Sequence, residues 1–291
     1  MTGECTRRLL GTDTRRQRNQ EEHVAETPLS GWALILGASS GFGEASALAL
    51  AEAGMDIFGV HLDRKATLHN VERITGAIQD VGRRAEFFNI NAADPDRRSG
   101  TIDRMKEILE EAGQEGEVRV LLHSLAFGTL KPLVGEDEGA SVTPNQMDMT
   151  LDVMAHSLVY WTQELVWKGL MTSGGRIFAM TSSGGDRVME SYGAVSAAKA
   201  ALESHIRQLT LELRPKGICA NALRAGVTDT PALRKIPGHE EYLEKAAENN
   251  PGRRLTTPED VARALVRLAM PGTEWITGNV IGVDGGEDIV A

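Results

Sequence analysis

Trp32-Ala-Leu-Ile-Leu36 runs straight into Gly37-Ala38-Ser39-Ser40-Gly41-Phe42-Gly43, and this stretch decides the fold. An unbroken apolar pentapeptide reads as a strand buried on both faces. The glycines then open a helix-like run from Phe42 to Ala53, with Gly54 placed just past its end. Strand, glycine turn and helix is the context in which backbone N–H groups and a helix N-terminus cradle a pyrophosphate. Candidate contacts are Gly37, Ser39, Ser40, Gly41, Phe42 and Gly43. The spacing Gly-x3-Gly-x-Gly differs from the more general Gly-x-Gly-x-x-Gly. A glycine-rich turn that holds no ligand is the bland alternative.

Outward from this stretch the chain alternates two kinds of segment. Apolar strands are predicted at 32–36, 55–60, 85–90, 118–123, 175–181, 216–222 and 278–283. Helical runs are predicted at 42–53, 66–80, 97–112, 146–171, 192–213 and 258–270. Such alternation implies an α/β fold, a doubly wound parallel sheet covered on both faces. No internal repeat and no Pro/Gly linker divides it, so residues 31–291 are expected to form one domain. Residues 1–30 differ: Arg7, Arg8, Arg15, Arg16 and Arg18 precede Glu21, Glu22 and Glu26, with no apolar core for a signal peptide. A flexible tail is expected there.

Composition excludes several function classes. A net charge of −10 argues against general nucleic-acid binding. Cys5 and Cys219 form no CxxC pair, and the seven His include no HExxH, so no disulfide framework and no metal site is expected. No run is long enough to span a membrane. The environment reads as reducing cytoplasm.

Tyr192 and Lys199 lie in the Ala-rich stretch Ser191-Tyr-Gly-Ala-Val-Ser-Ala-Ala-Lys-Ala-Ala-Leu-Glu203. Seven residues make two helical turns, so both side chains are predicted on one face, about 10 Å apart along the axis. A nearby ammonium favours the phenolate and is expected to lower the Tyr pKa, giving a donor for developing oxyanion charge.

With these motifs in order, the chain resembles the short-chain dehydrogenase/reductase superfamily from about Gly31 to its end. The Tyr-x6-Lys spacing resembles the enoyl-acyl-carrier-protein reductases rather than the Tyr-x3-Lys ketoreductases; Val195 stands where a ketoreductase has its Tyr. Glu190-Ser-Tyr192, Ala198-Lys-Ala-Ala-Leu-Glu203, Thr228-Asp-Thr-Pro-Ala-Leu233 and Val283-Asp-Gly-Gly286 look most like the type III enoyl reductases.

The resemblance implies a Rossmann-type fold and a set of roles. Ser182, 17 residues before Lys199, matches a Ser that hydrogen-bonds substrate oxygen. Met154 falls where ketoreductases carry a helix-borne Asn that supports a water relay to the Lys, which lowers the odds of ordinary alcohol oxidation. His123-Ser124-Leu125-Ala126 replaces the usual Asn-Asn-Ala-Gly, with Ser124, Leu125 and Ala126 against the adenosine ribose and His123 more structural than chemical. In Asn221-Ala-Leu-Arg-Ala-Gly226-Val227-Thr-Asp-Thr230 the backbone at Val227 is expected to meet the nicotinamide carboxamide; Gly226 shapes the turn, and Thr230 reaches the carboxamide or pyrophosphate. Asn91 and Ala92 should border the adenine.

Cofactor choice turns on the end of the second strand. Counted from Gly37, its tip falls near Val60–Leu62, which is uncharged; Asp63 comes slightly late, and Arg64 and Lys65 follow. Their cations suit a 2′-phosphate, so NADPH is expected ahead of NADH. The implied reaction is hydride transfer from NADPH to the β-carbon of a 2-enoyl thioester in fatty-acid synthesis, with acyl carrier protein the expected carrier and coenzyme A the alternative. Tyr192 and Ser182 would meet the thioester oxygen, and Lys199 would bind the nicotinamide ribose.

Residues 230–251 mix Leu233, Ile236, Tyr242 and Leu243 with charges, as in a mobile lid; a fixed surface helix is the alternative. A ketoreductase or hydroxysteroid-type dehydrogenase and a non-catalytic dinucleotide sensor remain as other functions on the same fold. A homotetramer is expected through 146–171 and 192–213, with 278–283 supporting a second interface. Val153, Leu158, Tyr160, Trp161, Leu165, Trp167 and Leu170 are too many apolar groups for one helix face.

Overall fold

The computed structural model describes residues 29–114, 116–236 and 238–290. The expected tail, up to residue 28, lies outside the described residues. In chain order the elements are β1 (Trp32–Leu36), α1 (Gly41–Glu52), β2 (Asp56–His61), α2 (Leu68–Asp80), β3 (Ala85–Asn89), α3 (Pro95–Glu111) and β4 (Val118–His123). They continue with α4 (Pro144–Leu151), α5 (Ser157–Trp167), β5 (Arg176–Thr181), α6 (Gly193–Leu213), β6 (Cys219–Ala225), α7 (His239–Asn249), α8 (Pro258–Ala269) and β7 (Val280–Val283). All strand pairs are parallel, in the order β3-β2-β1-β4-β5-β6-β7.

Alternation along each strand builds two cores. Leu34, Leu36, Leu121, Ile177 and Ala179 face α3, α5 and α6, where Ile102, Leu158, Trp161 and Leu202 complete one cluster. Ala33, Ile35, Val120, Leu122 and Phe178 face α1, α2 and α8, where Leu50, Ile74 and Leu265 complete the other. All five β1 residues are buried, as the two-sided cover requires. The sheet reverses direction of growth between β1 and β4, and this switch point opens the crevice in which α/β folds bind ligands.

Two expected elements are corrected. The helix predicted at 146–171 is broken: Asp152–His156 forms a π-helical turn between α4 and α5. Apolar periodicity continues through such a turn, so the sequence pattern does not mark it. The strand predicted at 216–222 starts later, at Cys219, because Arg214-Pro-Lys216 continues as a 3₁₀ turn closed by Gly217 at φ 75°.

Trp161 is also corrected. It is fully buried, its indole donating to the Ala92 carbonyl at 2.9 Å, and Val153, Leu158, Leu165 and Leu170 are buried with it. Of the apolar residues expected to need a partner subunit, only Tyr160 (37%) and Trp167 (74%) stay exposed.

Candidate active site

The glycine loop closes tightly over the end of β1. Gly37, at φ 91°, leaves no room for a side chain: a Cβ there would lie 2.5 Å from the Ser124 carbonyl. A Cβ on Gly43 would collide with the Gly37 carbonyl. The N–H groups of Gly37 and Ala38 both donate to Val60 O, at 2.8 and 3.0 Å, and Ser124 N–H donates to Leu36 O at 2.9 Å. Ser40 caps α1 with no side-chain hydrogen bond, so the first-turn amides of α1 face the crevice with no side-chain acceptor of their own. Thr230 approaches the same loop, its methyl 3.6 Å from a Cβ built on Gly41.

The tip of β2 falls within the stretch expected, Val60–Leu62, with Asp63 just beyond it. β2 ends at His61, and the Asp63 carboxylate turns back into the loop. Burial raises the Asp63 carboxyl, but hydrogen bonds with Thr67, Ser39 and His61 outweigh it and hold the group below the usual aspartate range. The His61 contact is 2.9 Å. The turn is stapled to β3 through Asn89, which accepts from Asp63 N–H and donates to Asp63 O, each at 3.0 Å. Arg64 and Lys65 are exposed, and nothing among the described residues pairs with their side chains. Asn91 turns the chain after β3 by accepting from Ala93 N–H at 3.1 Å, and Ala92 is buried beside Trp161.

On the other side of the crevice Ser182 hydrogen-bonds Tyr192, and Tyr192 and Lys199 lie at the cap of α6 and seven residues along it, as the spacing predicts. Tyr192 is the N-cap of α6, at φ −97°, and Ser191 before it takes the left-handed φ 57°. Its ring packs on Gly184, where a Cβ would lie 2.6 Å from the ring edge. Burial pushes the Tyr192 phenol up; a hydrogen bond with Ser182 offsets part of this, and Tyr242 on α7 adds to the rise. The expected lowering by Lys199 is thus corrected. Lys199 points instead to the end of β5, donating to Met180 O at 2.7 Å. Burial pulls its ammonium down to about 8, against the attraction of Glu203. The Ser182 hydroxyl oxygen also accepts from Gly184 N–H at 3.0 Å.

Val195 and Met154 are both buried and line one wall: a Cβ on Gly128 would lie 2.8 Å from each. His123 is fully buried and neutral, burial and the Lys199 charge pulling it down to about 3. Its Nε2 lies 2.9 Å from Ser157 Oγ, which itself donates to Val153 O at 2.8 Å. Ser157 has one proton, so His123 donates from Nε2, and its Nδ1 is left without a partner.

The Val227 N–H is taken by the Glu287 carboxylate, at 3.0 and 3.2 Å, while its carbonyl has no partner among the described residues. One residue on, Thr228 is buried at 4% exposure, and its backbone N–H and C=O have no partner among the described residues. Sequence reasoning also missed Gly184, Glu203 and Arg224. The pair Gly184-Gly185 directly after Ser182-Ser183 was the available signal for the first.

A cradle that only glycine fits, open helix-terminal amides and a buried unpaired peptide group at Thr228 together suit a dinucleotide. The profile of the enoyl-(acyl carrier protein) reductase family matches residues 37–287. The chain belongs to this family. It is therefore an oxidoreductase of the short-chain dehydrogenase/reductase superfamily, with relatives named as NADPH-dependent and as NADH enzymes. The chain is 31% identical to an NADPH-dependent aldehyde reductase-like chloroplastic protein of Arabidopsis thaliana, covering 89% of this chain and 95% of the relative. It is 28% identical to 1-cyclohexenylcarbonyl-CoA reductase of Streptomyces collinus, covering 89% and 87%. The crystal structure of an NADH-dependent enoyl-acyl-carrier-protein reductase from Aquifex aeolicus superposes with a TM-score of 0.74 at 25% identity, covering 89% of this chain and 96% of that one.

Proposed function

We propose that the chain reduces the carbon–carbon double bond of a 2-enoyl thioester, carried on acyl carrier protein. The observation that carries this is the apolar wall. Val195 and Met154 stand buried where a carbonyl reductase of this superfamily has its Tyr and Asn, while Tyr192, displaced to the cap of α6, keeps its hydroxyl against Ser182. A bound nicotinamide dinucleotide supplies the hydride. Gly37, Ser39, Ser40, Gly41, Phe42, Gly43 and Thr230 would hold its pyrophosphate; Ser124, Leu125, Ala126, Asn91 and Ala92 would border the adenosine; Gly226, Thr228 and Lys199 would border the nicotinamide riboside. Tyr192 and Ser182 would donate hydrogen bonds to the thioester oxygen as charge develops there. A phenol held protonated by burial suits that donor role, since it keeps its proton until the oxygen calls for it.

Between the two dinucleotides, the fixed Asp63 carboxylate favours NADH: it can accept from a ribose 2′-hydroxyl and repels a 2′-phosphate. NADPH is the second reading, since Arg64 and Lys65 extend beside it with free cations.

A crotonyl thioester, compared with a panel of aldehydes and ketones and with both dinucleotides, tests the reaction. Turnover confined to the carbonyl compounds would replace it with the aldehyde-reductase reading, which the Arabidopsis relative favours. We place the enzyme in the cytoplasm as a homotetramer. Exposed Trp167 on α5 and Leu211 (71%) on α6 support the first interface. No helix of the described residues is long and apolar enough to cross a membrane.

A further inference from the structure

Glu203 is a carboxylate buried at 7% exposure, one helical turn beyond Lys199 on the same face of α6. Burying a charge is costly unless partners compensate it. Its Oε1 accepts from the Thr181 hydroxyl at 2.7 Å and lies 4.0 Å from Arg224 Nη2. Arg224 is itself divided among anions: it donates to Asp288 at 2.8 Å and to Asp186 at 2.9 Å. Lys199 has one hydrogen-bond acceptor among the described residues, the neutral Met180 carbonyl. His123 on β4, which is neutral, also feels the Lys199 charge. Glu203 is the carboxylate that acts on the buried ammonium, and both side chains lie against Gly185, on which a Cβ would be 3.4 Å from Lys199 Cβ and 3.8 Å from Glu203 Oε1.

We propose that Glu203 is a positioning residue that keeps Lys199 cationic, and that Arg224 sets the strength of that hold by sharing the same carboxylate oxygen. The inference rests on the proposed role of Lys199 at the ribose. It also gives the buried carboxylate a role, since burial holds the Lys199 ammonium down at about 8 even with Glu203 present.

The two side chains should act in opposite directions. With Lys199 charged, dinucleotide affinity holds below its pKa and falls as pH rises through it. Glu203→Gln removes the anion, so that fall moves to lower pH, by about one unit or more. Arg224→Gln frees Glu203 for Lys199, so the fall moves to higher pH; Arg224→Lys leaves it in place. The measurement is the Kd of NADH and of NADPH by fluorescence between pH 6 and 10, with kcat for crotonyl thioester beside it. Lys199→Arg, which stays charged, should abolish the fall. If the fall persists in that variant, the role of Lys199 fails and the proposal with it. If Lys199→Arg abolishes the fall but Glu203→Gln leaves it unmoved, the proposal alone fails, Glu203 then being a packing residue. Should Glu203→Gln not fold, Arg224→Gln decides: a shift upward supports the proposal, and no shift or a downward one overturns it.

Discussion

The two walls of the crevice are built on different principles. The wall at β1 and β2 is made of peptide groups: Gly37 and Ala38 hang from Val60 O, Ser124 from Leu36 O, and glycine keeps the turns closed. Peptide groups do not titrate, so the turns of this wall hold their shape at any pH, and Asp63 with His61 is the ionisable pair set into it. The wall at β5 and β6 is made of ionisable side chains, Tyr192, Lys199, Glu203 and Arg224, with Glu203 held by Thr181 and Arg224 tied to Asp186 and Asp288. Its properties shift with burial and with each neighbour's charge. A ligand's constant part is gripped by the first wall, and chemistry is adjusted on the second without disturbing the grip.

Substitutions can test that division. The largest effect should come from the titratable wall: Tyr192→Phe should lower kcat about 10²-fold or more while dinucleotide Kd stays within about twofold. Wild-type turnover in that variant would take Tyr192 out of the mechanism. Gly43→Ala should do the reverse. Its Cβ meets the Gly37 carbonyl, costing about 1–3 kcal/mol, so Tm and dinucleotide affinity fall together, read by calorimetry and fluorescence. An unchanged Kd would mean the loop does not grip the dinucleotide. Smaller still, Asp63→Ser should improve the NADPH-to-NADH preference about tenfold in kcat/KM, and Arg64→Ala with Lys65→Ala should worsen it. Equal effects on both dinucleotides would leave β2 without a part in the choice. The smallest effect is the wild-type pH response. Affinity should decline by a few-fold as pH rises through about 8, where Lys199 loses its proton, and a Lys199→Met variant should be flat over the same range.

How far each wall could be read in advance follows from the same contrast. The glycine loop is local: strand, turn and helix are contiguous in sequence, so Gly37, Gly41 and Gly43 announce their geometry together. Lys199 and Ser182 were legible by spacing against a superfamily pattern. What that spacing could not convey was the left-handed φ of Ser191, which makes Tyr192 the cap of α6, or the turn of Lys199 toward Met180 O. Glu203 and Arg224 stayed hidden because their partners, Thr181, Asp186 and Asp288, are distant in sequence and meet only when β5, β6 and the C-terminal turn converge. Asp63 lies just past the end of β2, as the spacing places it, but its hydrogen bonds to Thr67, Ser39 and His61 could not be read from that spacing. Val227 shows the same limit, its amide claimed by Glu287 while Thr228 stays open.

The π-helical turn at Asp152–His156 has a consequence for how this chain can change over generations. Such a turn equals one residue inserted into an α-helix. Because the extra residue is absorbed within the turn, the helix on either side keeps its phase, and Trp161, Leu165 and Ser157 hold their places against the sheet and His123. A single-codon deletion inside Asp152–His156 would straighten the turn without turning α5, whereas the same deletion within α5 itself would rotate everything after it by about 100°.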